Sequence, residues 1–461
     1  MRYRPDVRIL ELGDGFFDPV EPARFPQCVP HFLNRRAAET VGLVGLSDEE
    51  WAAHFCRFEP LPDNLKQPLA LRYHGHQFRV YNPDIGDGRG FLFAQLRDEK
   101  DRLLDLGTKG SGQTPYSRTA DGRLTLKGGV REVLATEMLQ ALGVNTSKSF
   151  ALFETGEALE RGDEPSPTRS SVLTRLSYSH IRIGTFQRQA FLRDMDALDR
   201  LVRYCLEYLY DEELAEDAGE NALRLFDLVS QATAALAASY MAAGFVHGVL
   251  NSDNINITGE SFDYGPWRFT PYWDAEFTAA YFDHYGLYAF ARQPEAINWD
   301  LAQLGGCLSL LVHEAQPLSD VLAGWGDRFE QAFISALLGR LGAERKDAQS
   351  DRELASALLR ALESRAATID RIFFDWRGGR DAGAEHYPSE PFRMLAAKLA
   401  GRERVTAHPY WSDPEPCSMH IEEVEAIWDA IAERDDWSPF NAKIEAIRRM
   451  GKAMKDRRDQ S

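Results

Sequence analysis

The stretch that decides the fold class reads HGVLNSDNINITGESFDYG and runs from His247 to Gly265. It is polar, and it follows a periodic segment, residues 222–243, that predicts a long helix ending at Gly244. Asn254 and Asp263 could meet at one end of a hairpin. Hard oxygen donors of this kind suit Mg²⁺, which takes few carboxylates and keeps waters and phosphate oxygens as its other ligands. An isolated Asp-Asn pair in a polar loop is also typical of ordinary turns.

Upstream, Lys109 ends the apolar, strand-like run LLDLGTK. A lysine at a strand end is where a kinase-type fold holds nucleotide phosphates. A helix follows, and its Glu132 could pair with this lysine. Glu137 competes for that role, and its position nearer the apolar face of the helical wheel slightly favours it.

Two further features indicate phosphate binding. The run GDGRG at residues 86–90 would let backbone N–H groups approach a phosphate closely, although a tight hairpin turn explains the glycines equally well. Arg175 and Arg182 could contact phosphates with their planar guanidinium groups, whereas surface ion pairing is the ordinary role of such residues.

The order of strand lysine, helix glutamate, long helix, His-Gly loop, Asn and Asp-Tyr-Gly follows the layout of protein-kinase-like enzymes. One part differs. Kinases carry a catalytic Asp two residues after the His, and Val249 stands there in this chain. The nearest alternative carboxylate is Asp253, so transfer of the γ-phosphate by the usual base is disfavoured.

The pattern along the chain predicts an α+β protein with a kinase-like bilobal fold. Strand-length runs at 91–96, 103–108, 149–153 and 171–176 surround one helix, and long helical segments dominate after residue 194. We expect an N-terminal extension packed on the core at 1–65, a β-rich nucleotide-binding N-lobe at 66–190, a helical C-lobe with the catalytic and metal loop at 191–320, and a further C-terminal helical region at 321–461.

The net charge of −18 argues against a general electrostatic footprint for nucleic acid. Residues 86–193 depart from this bias, with 16 basic and 13 acidic residues, and are a candidate anion site. The five cysteines are sparse and odd in number, which argues against a disulfide framework and favours a reduced environment. Without a signal-peptide core or a membrane-spanning run, we expect a cytoplasmic protein without a membrane partner.

Several long motifs in one order resemble the selenoprotein O family. They are YHGHQF at 73–78, GDGRG at 86–90, TKGSGQTPYSR at 108–118, SHIRIGTF at 179–186, GFVHGVLNSDN at 244–254 and FDYGP at 262–266. Members of that family are kinase-fold pseudokinases that bind ATP in a flipped orientation and transfer AMP to protein hydroxyls. The resemblance therefore implies an adenylyltransferase that uses ATP and Mg²⁺, with Mn²⁺ as an alternative, and modifies Ser, Thr or Tyr of protein substrates with release of pyrophosphate.

The resemblance also implies roles for individual residues. Asp253 would accept the proton, Asn254 and Asp263 would bind the metal, and Glu132 would be the partner of the lysine. Nucleotide contacts are implied for Gly86, Gly88, Arg89, Lys109, Asp121, Gly122, Arg175, Arg182 and Asp263. Two other functions stay open, namely a non-catalytic ATP-binding scaffold and a phosphotransferase that uses the γ-phosphate.

Two positions depart from the family pattern. Arg79 stands where the family usually has Gly after His-Gln-Phe, and Ser252 replaces a usual Thr.

Overall fold

The computed structural model describes residues 2–162, 164–380, 386–402 and 407–455. The strands are β1 Phe17–Pro19, β2 Val29–Leu33, β3 Leu69–Leu71, β4 Gly75–Gln77, β5 Val80–Asn82, β6 Leu92–Arg97, β7 Leu103–Lys109, β8 Leu124–Thr125, β9 Lys148–Leu159, β10 Thr168–Ser177, β11 Phe245–His247 and β12 Trp267–Phe269. The helices are α1 Arg35–Thr40, α2 Asp48–Phe55, α3 Leu126–Ala141, α4 Ile183–Leu192, α5 Met195–Tyr204, α6 Ala218–Ala243, α7 Gln293–Leu308, α8 Gln316–Ala323, α9 Trp325–Leu341, α10 Ala348–Glu363, α11 Ile369–Asp375, α12 Glu390–Leu399, α13 Ile421–Arg434 and α14 Ser438–Lys455.

An antiparallel sheet of eight strands forms the N-terminal part of the molecule. Its order is β1-β3-β6-β7-β10-β9-β2, with β8 paired to β10. Strands β7 and β10 are buried almost throughout, which places the ends of both inside the protein. The four runs predicted as strands coincide with β6, β7, β9 and β10. The expected α+β class, with a β-rich N-terminal part and a helical C-terminal part, is confirmed.

Helix α3 packs against this sheet. Thr125 caps its N-terminus by accepting a hydrogen bond from Gly128 N–H, and Gly143 follows its end with a positive φ of 88°. Twelve of its sixteen residues are buried, so the helix has neighbours on most sides. Its C-terminal half contacts α14, where a Cβ on Gly451 would lie 3.2 Å from Cβ of Ala141.

The helical part differs from the prediction at one point. The sequence pattern predicts one helix over residues 352–374, but the chain forms α10 and α11 instead. Arg365 adopts a left-handed φ of 51°, and Thr368 then caps α11 by accepting from Arg371 N–H. A left-handed residue interrupts the helical hydrogen bonds whatever the hydrophobic period is.

The first 65 residues are more structured than the extended segment that their weak periodicity indicates. They contain α1 and α2, and they supply β1 and β2 to the sheet. The expectation of unpaired cysteines is wrong here, because Cys28 and Cys56 form a disulfide. The two residues are 28 positions apart, and only the packing of the segment before β2 against the end of α2 brings them together.

One hydrophobic core joins the two parts of the molecule. It contains Val133 of α3 and Phe226 of α6, together with Ile431 of α13 and Ile447 of α14. The last two helices therefore pack on the sheet region rather than forming a separate core. Among the described residues, the helices lack the combination of length and apolarity that crossing a lipid bilayer demands.

Candidate functional site

A cavity of about 390 Å³ opens beside the ends of β7 and β10. Its walls contain six of the residues predicted to form the site: Gly88, Arg89, Lys109, Arg175, Asn254 and Asp263. A larger cavity of about 470 Å³ lies elsewhere, between α1, the β6–β7 turn and the start of β9, and its walls contain none of them. The chemistry of the lining therefore identifies the smaller cavity as the candidate site.

Lys109 contacts two carboxylates. Its Nζ lies 2.5 Å from Oε2 of Glu132 and 3.2 Å from Oδ1 of Asp263. Glu137, which the helical wheel slightly favoured, instead accepts two hydrogen bonds from Arg448 of α14, at 2.7 and 2.8 Å. The wheel shows which face of α3 is buried, but it cannot show that a helix 311 residues later covers part of that face.

Asp263 lies among cations. Besides Lys109, NH1 of Arg175 lies 3.1 Å from its Oδ1 and NH1 of Arg182 lies 3.6 Å from its Oδ2. Burial alone would raise the pKa of Asp263, but the charges of these three residues hold it well below its usual range. Asp263 is therefore an anion at every pH at which the protein is expected to work.

The two arginines are fixed by their elements and by aromatic rings. Arg175 lies on β10, and Arg182 precedes α4 and donates through NH1 to the carbonyl of Asp253 at 3.0 Å. The guanidinium carbon of Arg182 lies 4.1 Å from the ring centre of Tyr73 and 4.9 Å from that of Phe262. Rings on both sides favour the cation and restrict its motion.

The loop after β11 carries Asn254, which lines the cavity, and Asp253, which does not. Residues Ser252–Asn254 form one turn of 3-10 helix, and the amide of Asn254 donates to the carbonyl of Val249 at 3.0 Å. Val249 itself lines the cavity, so an apolar side chain occupies the position of the usual kinase base. Asp253 is 8% exposed, and burial raises its pKa to about 6. His247 lies behind the loop, within 3.3 Å of the carbonyl of Phe262.

Six predicted residues do not line the cavity. Glu132 and Arg182 contact the lining residues Lys109 and Asp263, Asp253 precedes the lining residue Asn254, and the other three lie in the neighbouring turns. Gly86 packs under the ring of Tyr116, where a Cβ would come within 2.5 Å of the ring. Gly122 packs on the backbone of residue 112, and a Cβ there would lie 2.2 Å from the carbonyl oxygen. Asp121 is bound to Arg161 at 2.8 Å on the outer side of the same turn.

Several lining residues were not selected from the sequence. Tyr73, Asp87, Tyr116, Ser117 and Arg118 all contribute to the walls. All five lie inside the quoted motifs, which was the available signal. Their residue types are common on surfaces, however, so nothing in the pattern distinguished them from ordinary turn residues.

The oxygen atoms of the cavity wall suit a hard cation that takes most of its ligands from phosphate and water. Asn254 and Asp263 offer an amide and a carboxylate oxygen on the same wall. Among the residues that the structure describes, no three His, Cys, Asp or Glu side chains converge as a metal cage. Such a pair fits Mg²⁺ held together with phosphate oxygens and water, and it does not fit a structural zinc ion.

Comparison with known proteins agrees with this chemistry. The model of a family described as "Protein adenylyltransferase SelO" matches residues 1–397. A relative named "Protein nucleotidyltransferase YdiU" from Synechococcus elongatus is 40% identical, over 96% of this chain and 95% of its own length. Relatives of the same name from Synechocystis sp. and Gloeobacter violaceus are 39% and 42% identical, over 97% and 95% of this chain and 98% and 93% of their own lengths.

These matches extend over nearly the whole chain, and they confirm the expected enzyme class, a protein nucleotidyltransferase with ATP as co-substrate. The chain belongs to the SelO family of protein adenylyltransferases.

Proposed function

We propose that this adenylyltransferase transfers AMP from ATP to Ser, Thr or Tyr hydroxyls of protein substrates and releases pyrophosphate. The observation that carries the proposal is the position of Lys109, Arg175 and Arg182, which all lie within 3.6 Å of Asp263 beside the cavity. These cations also pair with Glu132 and Asp87, and Arg89 adds a further positive charge beside the same cavity, so the cations are the groups there that can contact a triphosphate. Electrostatic stabilisation of this kind dominates phosphoryl-type transfer.

The nucleotide would bind through the glycine-rich turn and the cations. Arg89 and Gly88 line the same cavity as Asp263, where backbone N–H groups and a guanidinium can approach phosphates. Glu132 would hold Lys109 in place, as their 2.5 Å contact supports. We assign the nucleotide contacts to Gly86, Gly88, Arg89, Lys109, Asp121, Gly122, Arg175, Arg182 and Asp263, although Gly86, Asp121 and Gly122 could act only through the shape of the turns that carry them.

We assign Mg²⁺ binding, with Mn²⁺ as an alternative, to Asn254 and Asp263. The bound cation would neutralise charge on the phosphates and orient them. Asp263 supplies the charged ligand, and its low pKa keeps it available as an anion. The amide group of Asn254 is oriented by its hydrogen bond to the carbonyl of Val249, which leaves its oxygen as the ligand atom.

Asp253 would act as the proton acceptor. The acceptor hydroxyl loses its proton to the Asp253 carboxylate while its oxygen bonds to the α-phosphorus. The bond from that phosphorus to the bridging oxygen breaks, and pyrophosphate leaves with the electron pair. Among the described residues, Oδ1 of Asp253 is buried without a hydrogen-bond partner, so the protein does not engage this oxygen.

We extend the proposal to the architecture and the location. In the kinase-like bilobal fold that we propose, residues 66–190 form the N-lobe and 191–320 the C-lobe, flanked by the extension at 1–65 and the helical region at 321–461. The lysine–glutamate pair between β7 and α3 supports that comparison. A cytoplasmic location is proposed because ATP is the co-substrate.

ATP labelled separately at the α- and γ-phosphates tests the reaction. With a library of peptides that each carry one Ser, Thr or Tyr, we expect label from the α-phosphate to be incorporated and label from the γ-phosphate to appear in pyrophosphate. Incorporation of the γ-label would instead indicate a phosphotransferase. Tight ATP binding without transfer of either label would indicate a scaffold.

A further inference from the structure

The first strand of the hairpin β4–β5 lies in the motif YHGHQF, of which Tyr73 and Gln77 line the cavity and the remaining residues have no role assigned above. The hairpin pairs only with itself, Gly75 opposite Asn82 and Gln77 opposite Val80, and lies outside the large sheet. Neither of its histidines forms part of a metal cluster among the described residues. Its position is unusual in another respect, because the backbone of the hairpin lies directly against the loop that carries Asp253.

The closest approach is at Gly75. A Cβ at this position would lie 2.9 Å from Oδ1 and 3.0 Å from Cβ of Asp253. The glycine therefore leaves just the space that the Asp253 side chain occupies. Any larger residue would have to displace the carboxylate or Ile85, whose Cδ1 would lie 3.0 Å from the same Cβ.

Hydrogen bonds fix the hairpin to the loop on both sides of this contact. The main-chain N–H of His76 donates to Oγ of Ser252 at 2.7 Å, and the main-chain N–H of Phe78 donates to Oδ1 of Asn251 at 3.0 Å. Both loop side chains are buried, at 0% and 4% exposure. The residues immediately before Asp253 are thus held by main-chain donors of the hairpin, which cannot change rotamer.

Three residues, His76, Ser252 and Gln187, form a closed ring of hydrogen bonds at the same contact. Ser252 Oγ donates to Oε1 of Gln187 at 2.6 Å, and Nε2 of Gln187 lies 2.6 Å from Nδ1 of His76. The single hydroxyl proton of Ser252 is used toward Gln187, so its oxygen is free to accept from the His76 N–H. Because Gln187 lies on α4, the ring connects the hairpin and the loop to the helix that begins after Arg182.

We infer that the hairpin β4–β5 is a positioning element for Asp253, with Gly75 and Ser252 as the residues that set where its carboxylate lies. The inference rests on the proposed role of Asp253 as proton acceptor. Proton transfer demands a fixed distance to the acceptor hydroxyl, and a displacement of about 1 Å can lower the rate about 100-fold. The hairpin makes none of the ion pairs around Asp263, so its displacement should affect turnover rather than ATP binding.

Two pairs of variants test this. Gly75→Ala should lower kcat for transfer of α-labelled AMP to the peptide library about 10- to 100-fold, with KM and the calorimetric Kd for ATP changed less than about twofold. Val80→Ala on the same hairpin, where the side chain is 70% exposed, should leave both unchanged. Ser252→Ala should lower kcat in the same way, whereas Ser252→Thr, which keeps the hydroxyl, should restore it.

The double variant separates positioning from general structure. If Gly75→Ala acts only through Asp253, it should cause no further loss when Asp253 is already Asn. A further loss of the same factor in that background, or a parallel loss of ATP affinity, would overturn the inference. So would folded Gly75→Ala and Ser252→Ala proteins with wild-type kcat.

The proposed role of Asp253 and the inferred role of the hairpin can be refuted separately. Wild-type kcat in Asp253→Asn would refute the proton-acceptor role itself and the inference with it. An inactive Asp253→Asn beside fully active hairpin variants would refute the inference alone. Thermal unfolding of each variant shows whether it is folded; should Gly75→Ala not fold, the Ser252 pair decides.

Discussion

At the scale of single residues, Asp263 combines two opposite effects on ATP. Its negative charge repels the phosphates directly, but with a bound cation it would become the ligand that attracts them. Asp263→Asn should therefore lower transfer at least about 100-fold and abolish the gain in ATP affinity that Mg²⁺ provides. Without Mg²⁺, the variant should bind ATP as tightly as the wild type or more tightly. Calorimetry with and without the metal measures both.

The control is Asp101→Asn, an exposed carboxylate that pairs with Arg4 far from the cavity. It removes the same charge and should change neither affinity nor turnover. Wild-type turnover in Asp263→Asn would contradict the metal assignment, as would equal loss of ATP affinity with and without Mg²⁺.

Glu260 offers a prediction on stability and pH. It is 5% exposed, and burial raises its pKa to about 7. The folded protein therefore binds a proton more tightly there than the unfolded chain does, so this group costs stability as pH rises from its ordinary value of 4.5 through about 7. Glu260→Gln keeps an acceptor for the N–H of Tyr178, which now donates to Oε2 at 2.8 Å.

We expect Glu260→Gln to stabilise the protein at pH 8 by at most about 3 kcal/mol and to have little effect near pH 4.5. Thermal unfolding of both proteins between these values measures the difference. The exposed Glu433→Gln is the control, and its difference from wild type should not depend on pH. A Glu260→Gln protein that loses stability at pH 8 would show that the carboxylate is ionised and paired in the fold.

At the scale of elements, ion pairs with α13 and α14 fix α3 in both its first and its second half. Lys127 and Arg131 contact Glu425 of α13 at 2.6 and 3.2 Å, and Glu137 is paired with Arg448 of α14. Since Glu132 on the same helix pairs with Lys109, we expect the C-terminal helices to help set the position of this lysine, which we propose binds phosphate.

Arg448→Ala should destabilise the protein by roughly 2 kcal/mol, because it leaves Glu137, 5% exposed, without its bidentate partner. Transfer should fall as well, since α3 would shift under Glu132. Denaturant unfolding and kcat measure the two effects. Its neighbour Arg449 is the matched control: it is itself exposed and pairs with the half-buried Asp413, and Arg449→Ala should cost less than about 1 kcal/mol. Equal effects of the two substitutions would contradict the role of α14.

The same helix shows what sequence reasoning could reach. Gly143 predicts where it ends, and the period of its apolar residues predicts its buried face, because these signals are local. The partner of Lys109 was ambiguous until the contact of Glu137 with α14 was known. The sequence did not predict the Cys28–Cys56 disulfide or the break at Arg365 for the same reason. Each depends on packing or backbone conformation, which the spacing of residue types does not indicate.

At the scale of the whole molecule, six of the residues predicted from the motifs line one cavity. The role that we infer for the hairpin of YHGHQF rests instead on its contact with Asp253, which the motif itself does not indicate. The order of the motifs along the chain indicates its chemistry, because reactive groups need particular residue types. It does not report which backbone segment supports them, since support comes from close approach and main-chain donors that many sequences provide.

The last two helices provide the whole-molecule prediction. The family match ends at residue 397, but α13 and α14 bury Val424, Ile431, Phe440 and Ile447 in the core that contains α3. At about 1.5–3 kcal/mol for each large buried side chain, these four alone represent on the order of 10 kcal/mol, comparable with the total stability of a typical domain.

A chain that ends at residue 417 should therefore lose cooperative thermal unfolding and ATP binding together. Addition of the separate segment 418–461 should recover part of both, because the exposed face of α3 would still be its binding site. A truncated chain that unfolds cooperatively within a few degrees of the full chain would show instead that these helices are an independent appendage, and the contacts of Arg448 and Glu425 would then have no influence on Lys109.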